Sequence, residues 1–188
     1  ALRNDKVNIL EKYNLGKLQS ILSTGSPLIS ESFEYVYEFI KKDIHLASIS
    51  GGTDIVSCFV GGNPMLPVYS GEIQSKCLGV DVDVFDEKGQ GSLQKGELVC
   101  KSPLPSMPIG FWDDLNKEKY IKSYFSKFKN VWTQGDYAKI SQNNGIVIYG
   151  RSDSTLNPGG IRIGTAEIYR SVEQLSLIHI SEPTRRVF

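Results

Sequence analysis

The stretch GRSDSTLNPGGIRIGTAEI, residues 150–168, holds a glycine-rich turn between Arg151 and Arg162 in a chain of 188 residues. The chain has six arginines, of which only four precede residue 175, and two of those four lie in this stretch. A region of strand patterns comes before it, and a region of mixed helix and strand patterns comes before that. This order of patterns predicts more than one subdomain.

The region directly before the stretch, residues 56–150, has the pattern of an antiparallel sheet. Valine alternates with aspartate in its first predicted strand, and residues 96–100 form another. Residues 137–140 are predicted to pair with 146–149 across a loop that contains asparagine and glycine. A helix capped by an aspartate is predicted at 115–125.

The first 50 residues combine helix and short strand. Ser30 is placed to cap a helix whose apolar residues follow a spacing of three and four. Residues 44–50 are apolar enough for a buried strand, which runs into Gly51 and Gly52. These glycines suit a tight turn at a strand end, where ligands often bind. The predicted fold class is therefore α/β, in the mixed α+β sense.

Composition excludes several classes of partner. The chain has 21 basic and 21 acidic residues and no apolar run near the roughly 20 residues that span a bilayer, so neither nucleic acid nor membrane is expected as a partner. Three cysteines without a CxxC motif predict neither a disulfide framework nor a zinc site, and are typical of a cytoplasmic protein kept reduced. Walker A, GxGxxG and GxSxG motifs are also absent, so binding of small molecules at a local site is expected.

Five segments in order resemble the adenylate-forming superfamily of acyl-CoA synthetases, luciferases and peptide-synthetase adenylation domains. The segments are 24–28 (TGSPL), 50–54 (SGGTD), 96–98 with 110–112 (GEL, GFW), 132–136 (WTQGD) and 150–168. The third segment is expected to build the packing of the β-rich subdomain. The resemblance extends from residue 1 to about 174.

The resemblance implies a division of the chain into domains. Residues 1–150 would be the C-terminal, rear part of the large AMP-binding domain, which ends in the β-rich subdomain. Residues 151–155 would form a hinge at Asp153, and 156–174 would begin the small C-terminal domain. Residues 175–188 do not continue the family pattern and resemble the translation of a sequencing-library adapter, so we expect them to be a non-native tail.

The resemblance also implies a nucleotide site. Adenine would lie against Gly25, Ser26 and Pro27, and the Ser50, Gly51 and Gly52 backbone would line the nucleotide. Thr53 would donate to the α-phosphate, and Asp54, where the family usually has glutamate, would hold Mg²⁺. The remaining implied ligands are Asp136 for both ribose hydroxyls, Arg151 for ribose and phosphate, Gly159, and Arg162 for phosphate or the CoA tunnel.

The activity implied is ATP-dependent ligation of acetoacetate to CoA through an acyl-AMP intermediate, with ATP, Mg²⁺ and CoA taking part. Acetate-activating relatives carry tryptophan at the position of Gly51, so the glycine predicts room for a longer β-keto acid. Ligation of another short acid, such as acetate or propionate, and a non-catalytic nucleotide-binding module stay open as alternatives. The family's phosphate loop and catalytic lysine lie outside the chain, so the isolated chain is expected to be inactive.

Overall fold

The computed structural model describes residues 9–154, 156 and 163–174. The predicted tail at 175–188 lies outside this part of the chain. The elements, in chain order, are α1 (Ile9–Lys12), β1 (Ser20–Ser23), α2 (Ser30–Tyr35), a π-helical turn (Val36–Ile40), β2 (His45–Ser48), β3 (Ser50–Gly52), β4 (Ser57–Gly61), β5 (Ser75–Lys76), β6 (Val82–Phe85), β7 (Gly96–Cys100), α3 (Glu118–Tyr124), β8 (Trp132–Ile140), β9 (Ile146–Arg151), a 3₁₀ turn (Ser152–Ser154) and α4 (Thr165–Gln174).

The described strands form three sheets. β1 and β2 pair in parallel, β3, β4 and β5 form a small antiparallel sheet, and β6 to β9 form a four-stranded antiparallel sheet in chain order. The predicted mixture of helix and sheet is confirmed. The predicted pairing of 137–140 with 146–149 is confirmed as well, inside the longer β8–β9 hairpin.

The main core lies on the four-stranded sheet. Every residue of β7 is buried, because this strand is central and flanked by β6 and β8. In β6 the two valines, Val82 and Val84, are buried while the residues between and after them are partly exposed, as alternation predicts. Trp132 at the start of β8 is 1% exposed, and aromatic side chains of α3 and the residue after it pack on its ring.

Three predicted elements differ from the structure. Ser30 is the first helical residue and not the cap, since the extended residue Ile29 precedes the helix without a side-chain cap. The helix predicted at 115–125 is α3, which begins at Glu118. Asp114 does accept hydrogen bonds from the backbone N–H groups of its first turn. The predicted strand 44–50 is two strands, because β2 pairs with β1 whereas β3 pairs with β4.

The described helices include none that is long and apolar enough to cross a membrane.

Candidate functional site

A cleft of about 1060 Å³ lies where the short sheets meet the end of the β8–β9 hairpin. One side, here called the turn wall, consists of residues 24–29 and 48–53. The other, the strand wall, consists of residues 134, 136, 148, 150 and 151 on β8 and β9. Side chains from the start of α4 also line the cleft.

The cleft brings most of the predicted site residues together. Those that line it are Gly25, Ser26, Pro27, Ser50, Gly51, Gly52, Thr53, Asp136 and Arg151. Asp54 follows Thr53 directly but is not among the lining residues. Gly159 and Arg162 lie outside the residues that the structure describes, so their predicted roles stay predictions.

Asp136 is the buried carboxylate of the strand wall, at 8% exposure. The Ser50 hydroxyl donates to its Oδ2 at 2.8 Å, and Nη1 of Arg151 lies 3.3 Å from its Oδ1. Burial raises the pKa of Asp136, and the Ser50 hydrogen bond and the Arg151 charge act in the opposite direction. Each carboxylate oxygen has more than one lone pair, so both can still accept a hydrogen bond from a ligand in the cleft.

A β-bulge places Arg151 beside Asp136. The pairing of β8 with β9 shifts between Tyr137 and Ala138, and the shift sets Asp136 opposite Arg151. Bulges of this kind redirect side chains and are common next to functional sites. Arg151 also donates from Nη1 to the backbone carbonyl of Gln134 at 2.8 Å.

The position of the Arg151 guanidinium in the strand wall requires glycine at residue 135. Gly135 has φ of +81°, a conformation that favours glycine, and a Cβ there would collide with the Arg151 guanidinium. About half of the Arg151 side chain remains exposed, and its Nε lies 3.6 Å from Oδ1 of Asp153. The guanidinium is therefore fixed by neighbours on β8 while still facing the cleft.

Thr53 and Asp54 are exposed residues of the turn that joins β3 to β4. The hydroxyl of Tyr124 on α3 donates to Oδ2 of Asp54. Burial, followed by the hydrogen bond to Asp54, raises the pKa of Tyr124, so this phenol remains a proton donor throughout the neutral range.

The side-chain oxygens of Thr53 and Asp54 suit a metal ion that is also bound by the phosphates of a nucleotide. Among the described residues, no group of three or more His, Cys, Asp or Glu side chains could hold a metal ion. In nucleotide sites, however, Mg²⁺ is held by one or two carboxylates together with phosphate oxygens and water. Thr53 and Asp54 supply one hydroxyl and one carboxylate, which matches that smaller requirement.

The structure shows a further constraint at Gly51. Gly51 lines the cleft, but a Cβ on it would collide with the backbone of Ser57 and Cys58 in β4. A tryptophan at this position would therefore have to displace β4 before it could reach into the cleft. The close approach of two strands thus accounts for a glycine here, and its effect on acyl chain length stays a prediction.

The expectation that the GEL and GFW segments build the packing of this region is confirmed for residues 96–98, which are buried in β7, and for Phe111, whose ring contacts Tyr120 on α3. Glu97 in β7 is 2% exposed, and its carboxylate accepts hydrogen bonds from Nζ of Lys127 at 2.5 Å and from the Ser152 hydroxyl at 3.0 Å. Glu97 thus ties the sheet to the residue that precedes Asp153. Trp112, in contrast, is 97% exposed and packs on nothing in the described part of the chain.

Sequence reasoning missed Gln134, a buried residue of the strand wall. Its amide Nε2 donates to the carbonyl of Gly51 at 2.7 Å, and its Oε1 accepts from the indole N–H of Trp132 at 3.1 Å. The departure of WTQGD from the family's TGD segment is the signal that could have drawn attention to it.

The fold and the cleft define the class of protein. The structure matches that of the anthranilate CoA ligase AuaEII in complex with anthranoyl-AMP with a TM-score of 0.74, over 89% of this chain and 31% of that chain. At 18% identity this match shows the fold alone. The described part of the chain therefore has the fold of a segment of the adenylate-forming enzymes. No protein-family model matches the chain.

Closer relatives identify the branch: the chain is homologous to a segment of acetoacetyl-CoA synthetases. It is 55% identical over 176 residues to the acetoacetyl-coenzyme A synthetase of Rhizobium meliloti (strain 1021), and 55% identical over 175 residues to the acetoacetyl-CoA synthetase of Gallus gallus. These matches cover 93% and 92% of this chain and 27% and 26% of the relatives, so the chain spans about a quarter of their length. The solved acetoacetyl-CoA synthetase from Streptomyces lividans is 40% identical, with a TM-score of 0.83 over 92% of this chain and 27% of that chain.

Proposed function

We infer that this chain is a segment of an acid–thiol ligase that joins acetoacetate to CoA at the expense of ATP, through acetoacetyl-AMP. The observation that carries the proposal is the arrangement of Asp136, Ser50 and Arg151 on one cleft, in a chain whose relatives at 55% identity are acetoacetyl-CoA synthetases. A held carboxylate and a guanidinium are the groups that ribose hydroxyls and phosphate require.

The strand wall would bind the nucleoside. Asp136 would accept hydrogen bonds from both ribose hydroxyls, because its two oxygens face a cleft wide enough for a nucleotide. Arg151 would donate to ribose and α-phosphate from its exposed half. On the turn wall, the backbone at Gly25, Ser26 and Pro27 would lie against adenine.

The phosphate end would be met by the β3–β4 turn. The backbone of Ser50, Gly51 and Gly52 would line the nucleotide, and the Thr53 hydroxyl would donate to the α-phosphate as the acyl carboxylate attacks it. Asp54 would hold Mg²⁺, which supplies positive charge against the phosphates when bound. Gly159 and Arg162 complete the proposed set, with Arg162 directed at phosphate or at CoA.

The domain arrangement is a proposal of the same kind. Residues 1–150 would form the rear of the large AMP-binding domain, 151–155 the hinge and 156–174 the start of the small domain. The bond from Ser152 to buried Glu97 supports a junction at this point, since it anchors the last residue before Asp153 to the sheet. We also propose that residues 175–188 are a non-native tail and that the enzyme works in the cytosol.

The acyl substrate can be tested against its nearest alternatives. We expect the full-length protein that carries this segment to release pyrophosphate with acetoacetate, at a higher kcat/KM than with acetate or propionate. A preference for acetate or propionate would contradict acetoacetate as the substrate while leaving the nucleotide site intact. Nucleotide binding without pyrophosphate release from any acid would favour the non-catalytic binding module.

The nucleotide site is tested with Asp136→Ala and a matched control. Asp43, whose side chain is 84% exposed, lies outside the cleft and pairs only loosely with Lys41 at 3.8 Å, so Asp43→Ala keeps the change of charge without touching the site. We expect Asp136→Ala to weaken ATP and adenosine binding by about a hundredfold or more, because two hydrogen bonds to a charged group are lost. Equal binding by the two variants would refute the role of Asp136.

A further inference from the structure

Side chains from other elements bind the chain on both sides of Thr53, where β3 runs into the turn that leads to β4. Before Thr53, the carbonyl of Gly51 in β3 accepts from the amide of Gln134 on β8 at 2.7 Å. After it, the carboxylate of Asp54 accepts from the hydroxyl of Tyr124 on α3. Thr53, the proposed donor to the α-phosphate, lies between these two points.

The orientation of the Gln134 amide is determined by its second partner. The indole N–H of Trp132 can only donate, so the atom that it meets at 3.1 Å must be the amide oxygen. The amide nitrogen therefore faces the Gly51 carbonyl. Gln134 is 8% exposed and is held by both hydrogen bonds, and its amide packs so close to Gly52 that a Cβ there would lie 3.3 Å from its Nε2.

Trp132 also supports Tyr124, the residue that binds Asp54. The rings of Tyr124 and Trp132 stack with centroids 3.6 Å apart and planes 14° from parallel. A continuous set of contacts thus runs from Gly51 through Gln134, Trp132 and Tyr124 to Asp54. Trp132 is 1% exposed and belongs to the main core, so these contacts connect the turn to the core of the four-stranded sheet.

The turn itself would not keep this shape without support. Val56, its last residue, has φ of +49° although its side chain is β-branched and 83% exposed. Such a conformation is unfavourable for valine and persists only where surrounding contacts impose it. Ile55 anchors the turn in the main core, since it is fully buried, but Thr53 and Asp54 before it are both exposed, so burial does not fix their side chains.

We propose that Gln134 and Tyr124, joined through Trp132, are positioning residues that hold the Thr53–Asp54 turn in place for the phosphates of the bound nucleotide. The proposal rests on the proposed function and adds two residues that the family motifs do not name. Tyr124 does not line the cleft, and Gln134 lines it with its amide already engaged by Gly51 and Trp132, so neither side chain is assigned a contact with the nucleotide. Their effect should therefore fall on the phosphates and not on the nucleoside, which the strand wall binds.

The test compares ATP·Mg²⁺ with adenosine as ligands of Gln134→Met and Tyr124→Phe in the full-length protein. Methionine keeps the length of glutamine without its amide, and phenylalanine keeps the ring that stacks on Trp132. Each variant should bind ATP·Mg²⁺ about five- to tenfold more weakly, as expected for loss of one positioning hydrogen bond, and adenosine as tightly as wild type. Gln94→Met and Tyr13→Phe, both at exposed positions away from the cleft, serve as controls.

A further variant distinguishes positioning from general weakening of the fold. Gln134→Glu puts a carboxylate oxygen against the Gly51 carbonyl, so two acceptors face each other, and it should lower kcat for pyrophosphate release more than Gln134→Met does. Because Gln134→Glu also buries a charge, its unfolding midpoint should be the lowest of the three, and binding and kcat are therefore compared where all three variants are folded. Equal loss of adenosine and ATP·Mg²⁺ binding, or no loss of either, would overturn the positioning role.

The outcome can be separated from failure of the proposed function. If Asp136→Ala leaves adenosine binding unchanged, the nucleotide site itself is wrong. If Asp136→Ala removes adenosine binding while Gln134→Met and Tyr124→Phe leave ATP·Mg²⁺ binding unchanged, the site stands and the positioning role is refuted.

Discussion

The two walls of the cleft hold their functional groups in different ways. On the strand wall, Asp136 and Arg151 face each other across a hairpin of a buried four-stranded sheet. At the end of the turn wall, Thr53 and the following Asp54 are exposed, and hydrogen bonds from Gln134 and Tyr124 hold the Gly51 carbonyl and the Asp54 carboxylate on either side of Thr53. The groups of the strand wall are thus fixed by backbone pairing in the main sheet, whereas Thr53 and Asp54 are held by the buried Ile55 next to them and by a few side-chain hydrogen bonds. Mutations should affect the two walls unequally.

The largest expected effect on stability is at the core of the strand wall. Trp132→Ala should lower the free energy of unfolding by about 3–5 kcal/mol, because a fully buried large side chain leaves a cavity under β8 and α3. Urea denaturation of the 188-residue chain measures this. Leu78→Ala, at a residue that is 99% exposed, is the control and should change stability by less than about 0.5 kcal/mol.

The next effect is expected at Glu97, the buried carboxylate of β7 that binds Ser152. Lys127→Met leaves Glu97 in the sheet without its cation, and should lower the free energy of unfolding by about 2 kcal/mol. The double variant Lys127→Met, Glu97→Gln should recover part of that loss, since the buried charge is then absent. A double variant that is less stable than Lys127→Met would show that the charge is not the cause.

A smaller, pH-dependent effect is expected at Asp136. Burial raises its pKa in the folded state, so between the ordinary aspartate pKa and this raised value the folded chain binds more protons than the unfolded chain. Stability contributed at this site should therefore fall as pH increases through that interval. Relative to Asp136→Asn, wild type should lose on the order of 1 kcal/mol as pH rises from below 4 to 7, measured by urea unfolding. A relative gain with rising pH would mean that Arg151 and Ser50 outweigh burial.

The smallest effect is expected at Val56, the last residue of the turn between β3 and β4. Val56→Gly removes a β-branched side chain from a left-handed conformation, but glycine also has more freedom in the unfolded chain. The two terms partly cancel, so stability should rise by no more than about 1 kcal/mol. A clear loss of stability would mean that the valine side chain makes contacts that outweigh the strain.

The strand wall could largely be predicted from the sequence, whereas on the turn wall the lining residues could be predicted but not the contacts that hold them. Alternation and the loop around Asn144 predicted the β8–β9 hairpin, and motif order predicted that Asp136 and Arg151 share a site. The bulge at Tyr137 that sets them opposite each other has no sequence signal, because it depends on how two strands pair in register.

On the turn wall, the motif identified Thr53 and Asp54 but not what holds them. Gln134 and Tyr124 are separated from the turn by about 70 to 80 residues in sequence, and their hydrogen bonds arise only when α3 packs on Trp132. Glu97 was interpreted as packing for the same reason, since its partners Lys127 and Ser152 lie on other elements. The close approach of β4 to Gly51 could not be predicted either, since it depends on how two strands pair.

The most direct test of the account is AMP binding by Asp136→Asn and wild type, measured by calorimetry on the full-length protein, with urea unfolding of both at pH 7. The account predicts that wild type binds AMP, that the variant binds it at least about tenfold more weakly, and that the variant is as stable as wild type or more so. Equal AMP binding by the two proteins, or an affinity loss that accompanies an equally large loss of stability, would contradict the assignment of this cleft as the nucleotide site.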